Sequence, residues 1–300
     1  MSHSVRDPLL VAVLRSFFGI GSRLPLPLTR PLGAFIGRSA LRLDRKDRKL
    51  IFHHIGIAFP ELAPDARRAL ARRSAQHFGL MLAELAWMWR APAHQIEALC
   101  TIGGIEHFEN ALAGGRGVMF TTGHTGNWEM LGSRLPIGGV PLTTAVRQLD
   151  NRHLNDIITR LRSMHGTEVI PRGQSAGRQI RRALAADRVI ALLIDQDIRD
   201  IPGVFVPFFG RLAWTPAGAA VLALRTGCPI VPGFIHRRPD LSHHIQLHPP
   251  LEVPSEGTEE ERILAVTAAA TKLIEKQVRA HPEQWVWMHR RWRTRPAAEG

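Results

Sequence analysis

The chain has 300 residues, enough for one large domain or two ordinary ones, and it can bury a core without disulfide or metal staples. Its 45% hydrophobic and 22% charged residues exclude a disordered tail, and the lack of any unbroken apolar run of about 18 residues excludes an obvious polytopic membrane protein. The net charge of +13 rests on 39 bases, all but four of them Arg, and points to a polyanionic partner: nucleic acid, an anionic bilayer or a phosphorylated substrate.

Residues 1–50 hold ten bases against three acids, interleaved with Leu9, Leu10, Val11, Leu14, Phe17, Phe18, Ile20, Leu32, Phe35 and Ile36. The apolar stretch from Pro8 to Ile20 is interrupted by Arg15, too short for a span of about 20 residues, and followed by no small-residue cleavage site. It reads as an amphipathic helix lying in an anionic interface, so residues 1–45 are expected to form a basic, membrane-associating annex. The alternative is a helix packed on the domain with its Arg face solvated. No nucleic-acid motif follows, so nucleic acid is set aside as a partner.

Residues 46–60 predict a helix stopped at Pro60, and Pro64 to Arg90 a long one, with Leu70, Phe78, Leu82 and Leu85 on one stripe. The texture then changes to short apolar runs alternating with amphipathic stretches. Strands are expected at 117–122, 142–147, 168–170, 189–194, 229–235 and 243–247, and helices at 128–135, 151–165, 175–186, 216–226 and 259–278. Residues 195–215 read as a loop. The alternation predicts an α/β fold, a mostly parallel central sheet flanked by helices.

Gly123-His124-Thr125-Gly126-Asn127-Trp128-Glu129 follows the 117–122 strand, where open α/β sheets collect ligands. His124 falls in the loop, Asn127 at a helix N-cap, and Glu129 in the first helical turn. An imidazole with one nitrogen held by a carboxylate leaves the other free to take a hydroxyl proton, and a helix N-terminus can meet an oxyanion. The His-x4-acid spacing is weakly specific alone, but it occurs once in this chain. The alternative is a polar loop with a structural histidine.

Cys100 and Cys228 have no paired spacing, which argues against a disulfide scaffold or Cys-based zinc site and fits a reducing compartment. His53-His54 and His243-His244 lack a third ligand at a sensible offset, so no metal is expected. Gly114 to Gly117 precedes a strand and is a turn rather than a phosphate loop.

The 123–129 block resembles the first block of the lysophospholipid acyltransferase superfamily, and in particular the late acyltransferases of lipid A biosynthesis. Ile57 to Glu61, Arg147 with Asn151, Asp195-Gln196-Asp197 with Val204 to Gly210, and Pro282 to Trp292 resemble further blocks of that family in the same order, across residues 45–296. The resemblance implies an O-acyltransferase domain over 46–296. It would move an acyl chain from acyl carrier protein, sometimes coenzyme A, to a hydroxyl of a glycolipid at the cytoplasmic face of the inner membrane, with no cofactor beyond that co-substrate. It also implies His124 as general base, Glu129 as its orienting partner and Arg147 as an anion-binding residue; Asp195 and Asp197 match the third block without distinct roles. Other acceptors, or an inactive lipid-binding protein, are the alternatives.

Read from the residues alone, Arg147 at a strand end suits a phosphate clamp or a surface ion pair. Phe208, in the apolar 204–210 run, could wall an acyl tunnel or belong to the core. Trp285, Trp287 and Trp292 interleave with His289, Arg290, Arg291, Arg293 and Arg295. That mixture suits headgroups or a phosphosugar, with Arg290 a candidate contact, or equally packing of the Trp residues with Arg outward.

Overall fold

Strands covered by helices on both faces read as unbroken apolar runs, and Val118–Thr122 is of that kind, all five residues being buried. A computed structural model describes residues 16–146, 152–171, 173 and 175–296. The helices α1 (Leu26–Leu43), α2 (Arg45–Ala58), α3 (Pro64–Met88) and α4 (Ala93–Leu99) come first. Then follow β1 (Cys100–Gly103), α5 (Glu106–Leu112), β2 (Val118–Thr122), α6 (Trp128–Ile137), β3 (Leu142–Val146), α7 (Arg152–Ser163), β4 (Glu168–Pro171), α8 (Ala176–Ala185) and β5 (Val189–Leu193). The chain continues through β6 (Gly203–Phe208), β7 (Arg211–Pro216), α9 (Gly218–Thr226), β8 (Ile230–Arg237), β9 (His243–Leu247) and α10 (Glu259–Ala280), then a 3-10 turn (Pro282–Gln284).

Among the described residues seven strands form the main sheet, in the order β1-β9-β8-β2-β5-β3-β4. The pairs β8–β2, β2–β5, β5–β3 and β3–β4 are parallel, while β9 runs antiparallel to β8. The expected α/β architecture is therefore present. One correction falls in 195–215, read as loop: β6 and β7 pair as an antiparallel ribbon from Gly203↔Pro216 to Phe208↔Arg211. Phe209 and Gly210 both have positive φ, 52° and 72°, so they close it as a two-residue primed turn without the usual Asn-Gly signature.

Local signals set the helix ends. Asp44 accepts from the backbone N–H groups of Lys46 and Asp47 to start α2, and Thr258 with Glu261 forms a capping box on α10. The helix α1 lies on α3 at glycine-limited distance: a Cβ at Gly37 would fall 2.0 Å from the carbonyl oxygen of Ala75. Its other face is uncovered, with Leu28 61%, Phe35 60% and Leu43 83% exposed. Among the described residues no helix is long and apolar enough to cross a membrane. The Pro8 to Ile20 stretch lies mostly outside the described residues.

Candidate active site

Two parallel neighbours bring the site together. Thr122 on β2 pairs with Leu193 on β5, so two residues further along each strand His124 stands beside Asp195. Nδ1 of His124 lies 2.7 Å from Oδ1 of Asp195, and the His124 backbone N–H donates to Oδ2 at 2.8 Å. The indole N–H of Trp285 donates to the same Oδ2 at 2.8 Å. Asp195 is 1% exposed; burial opposes its ionisation, but the charge of His124 and the three hydrogen bonds outweigh it and hold the carboxyl well below its ordinary range. Nδ1 of His124 therefore carries a proton toward the carboxylate, and the lone pair belongs to Nε2.

The loop is held from outside by the segment after α10. Gly126 N–H donates to the Gln284 carbonyl at 2.8 Å, Thr125 bridges Trp285, and Val286 N–H reaches the His124 carbonyl. Gly126 has φ +58°, and a Cβ there would lie 2.3 Å from the Ile235 carbonyl oxygen, so only glycine fits under β8. Arg291 anchors the strap from within. It is fully buried, donates to the Trp214 carbonyl and, at 2.6 Å, to the Thr215 hydroxyl, and lies over the Phe208 ring. The Trp residues thus pack inward, as one of the two readings of the tail allowed, while Arg291 is buried with them.

Several sequence candidates stand elsewhere than expected. Glu129 does not orient His124. In the first turn of α6 its carboxylate instead takes Nε of Arg162 on α7 at 2.9 Å and the Trp128 indole at 3.2 Å. Asn127 caps α6 by accepting from Met130 N–H, as read, but it is fully buried and its amide donates to Glu84 rather than facing a ligand. Asp197 is turned to the strap, where it accepts from the Thr294 hydroxyl at 2.8 Å. Phe208 packs among Phe209, Trp285 and Trp292 in the core, away from the cavity. Arg290 is exposed, and Arg147 lies outside the described residues.

A second polar cluster braces the loop from behind. Glu84 is fully buried and takes Arg30 of α1, Arg237 of β8 and the Asn127 amide; His77 accepts from Arg237 and lies 3.2 Å from the Gly126 carbonyl. Burial, then the charge of Arg237, pushes His77 down to about 3, so it is neutral. Nothing in the spacing of these residues marked them, because they meet only through the fold.

His124, Glu129 and Arg162 share a cavity of about 790 Å³ whose walls include Leu131, Leu142, Ile180, Leu192, Ile198 and Leu222. An imidazole held by a buried carboxylate on the wall of a largely apolar cavity, with a guanidinium on the same lining, can deprotonate a hydroxyl and stabilise an oxyanion beside a fatty chain. The proteins this chain is similar to are acyltransferases. The bacterial lipid A biosynthesis acyltransferase family matches residues 9–294. The chain is 29% identical to the lipid A biosynthesis lauroyltransferase of Escherichia coli (strain K12) over 279 residues, 91% of this chain and 88% of that one. It is 27% identical to the lipid A biosynthesis palmitoleoyltransferase of the same organism, over 95% of this chain and 92% of the relative. It is also 29% identical over 208 residues to the phosphatidylinositol mannoside acyltransferase of Mycobacterium tuberculosis, 68% of this chain and 62% of that one. With nearly its whole length matched, the chain belongs to the bacterial lipid A biosynthesis acyltransferase family and is an acyltransferase.

Proposed function

We propose that the protein moves a fatty acyl chain from an acyl carrier protein or coenzyme A thioester onto a hydroxyl of a lipid A precursor or similar glycolipid. Nε2 of His124 takes the hydroxyl proton, and the oxygen attacks the thioester carbonyl. The tetrahedral oxyanion is met by the positive end of α6 and by Arg162, which Glu129 holds at the cavity wall. The C–S bond then breaks, and the thiolate leaves with the proton returned by His124. Asp195 keeps the imidazole in the tautomer this needs and stabilises its transient charge. The observation that carries the reading is His124 set on buried Asp195 at the wall of an apolar cavity.

In this reading residues 1–45 are the membrane-associating segment and 46–296 the acyltransferase domain, at the cytoplasmic face of the inner membrane. The support is the bare apolar face of α1, flanked by exposed Arg23, Arg38 and Arg42, which suits an anionic bilayer. Arg147 remains the proposed clamp for phosphates, and no cofactor is required beyond the thioester.

The test is to incubate the purified protein with acyl carrier thioesters of several lengths and a lipid A precursor, then weigh the product. A mass increase of one acyl group, absent with His124→Ala, is expected; a folded His124→Ala enzyme transferring at the parent rate overturns the assignment. The phosphatidylinositol mannoside relative favours a second reading, the same chemistry on another glycolipid, and that acceptor belongs in a parallel reaction.

A further inference from the structure

The chemistry proposed for His124 leaves two adjacent polar groups without a task. The carboxamide nitrogen of Gln196 lies 3.0 Å from Nε2 and 3.2 Å from Nδ1 of His124, and 2.9 Å from Nε2 of His289. A donor aimed at the Nε2 lone pair would approach in the ring plane, far from Nδ1. Near-equal distances to both nitrogens place the carboxamide over the face of the imidazole instead. The in-plane lone pair of Nε2 is thereby left uncovered by the amide. The rings of His124 and His289 stand 5.1 Å apart at 59°, with the carboxamide between them.

His289 is suited to accept. Burial, then the charge of His124, lowers it to about 4, so it is neutral at physiological pH and offers a lone pair to the Gln196 N–H. The edge-on Trp128 ring, 5.0 Å away at 71°, restrains His124 further. Among the described residues, charged or titratable groups around the two rings include Asp195 at Nδ1, the Glu129–Arg162 pair and Asp200 on the same cavity lining, His54, and Arg291, which feels the charge of Asp195.

One hydrogen bond to Asp195 fixes a point on the ring but not its plane, and proton transfer depends on the direction of the Nε2 lone pair. We propose that Gln196 is a positioning residue for His124 and that His289 acts through it, the carboxamide anchored on one imidazole fixing the plane of the other. This rests on the reading of His124 as base.

The full-length purified protein tests it with Gln196→Ala, His289→Ala, the double variant and His289→Gln, whose side-chain oxygen can still accept from Gln196. Gln196→Ala is expected to lower kcat about 10- to 100-fold with KM for the thioester within about twofold, the size of effect that misorientation of a catalytic group produces. His289→Ala is expected to lose about tenfold, His289→Gln to recover most of that, and the double variant to fall no further than Gln196→Ala, because groups acting in series are not additive. Losses that multiply, or an unchanged kcat in Gln196→Ala, overturn the inference. Gln196→Met, which keeps the bulk without the donor, replaces the alanine variant if that one does not fold. Histidine-selective NMR reads the ring directly: broadened His124 side-chain signals in the Gln196 variant are expected, and signals matching the parent overturn the proposal. If the parent protein consumes no thioester, the acyl-transfer reading fails while the NMR result still decides the positioning role.

Discussion

Two carboxylates of the candidate site, Asp195 and Glu129, live in opposite surroundings. Asp195, at the corner where β2 and β5 end, meets only N–H donors from His124 and Trp285, with no Arg or Lys bonded to it among the described residues. Glu129, between α6 and α7, is already neutralised by the fork of Arg162. A carboxylate surrounded by dipoles still seeks a positive charge and supplies the strongest stabilisation to an imidazole gaining one. A carboxylate bonded to guanidinium has spent that capacity, and its service is to hold the cation at the cavity wall. Proximity in the chain says which acid is near, whereas the partner's existing company says which acid is available.

That contrast can be broken by substitution. The largest effect is expected for His124→Ala, a loss of roughly 10²- to 10⁴-fold or more in thioester turnover with folding retained. Next comes Asp195→Asn, which keeps the shape and removes the charge; a loss of about 10²- to 10⁴-fold in kcat is expected. Glu129→Gln should cost less, about 10- to 100-fold, because Arg162 loses its anchor while the base keeps its partner. Steady-state kinetics on the three variants settles the ranking, and an enzyme hurt more by Glu129→Gln than by Asp195→Asn would exchange the roles of the two acids. On the exposed face of α1, paired Phe35→Asp and Ile36→Asp changes should cut retention on anionic vesicles about tenfold or more and leave hydrolysis of a soluble thioester near parent level. Retention at the parent level would remove α1 from the membrane reading.

The smallest effect concerns stability. Burial lowers His77 to about 3, and His236 and His289 to about 4, so all three are neutral in the folded chain at pH 5 but protonate once unfolded. The unfolded state then binds more protons, and stability falls as pH drops from about 6.5 toward 4. A thermal melting series across that window should show a steady decline, shallower in His289→Gln; a flat series contradicts the burial assigned to these side chains.

Much of the sheet was legible because parallel strands buried on both faces, such as Val118–Thr122 and Val189–Leu193, carry runs that no amphipathic helix would tolerate. The β6–β7 ribbon was not, since Pro207 interrupts its first strand and Phe209-Gly210 is an uncommon turn pair. For the site, the loop holding His124 announced itself by glycines at a strand end. The choice of Asp195 over Glu129 depends on β2 lying next to β5, and the union of Gln196 with His289 on the segment after α10 lying against this corner. Neither adjacency leaves a spacing to count. Glu84 likewise collects partners from α1, the 123–129 loop and β8, which no local pattern ties together.

The strap has a consequence for the timing of the protein's birth. The imidazole and its carboxylate leave the ribosome well before Trp285, Arg291 and Trp292, yet the indole bond to Asp195 and the clasp over Gly126 need those later residues. A nascent chain halted short of them holds an unfinished corner, with a carboxylate short of a donor and a loop without its cover. On the proposed reading of His124, competence for acyl transfer should switch on late in synthesis, once the final residues have closed over this corner.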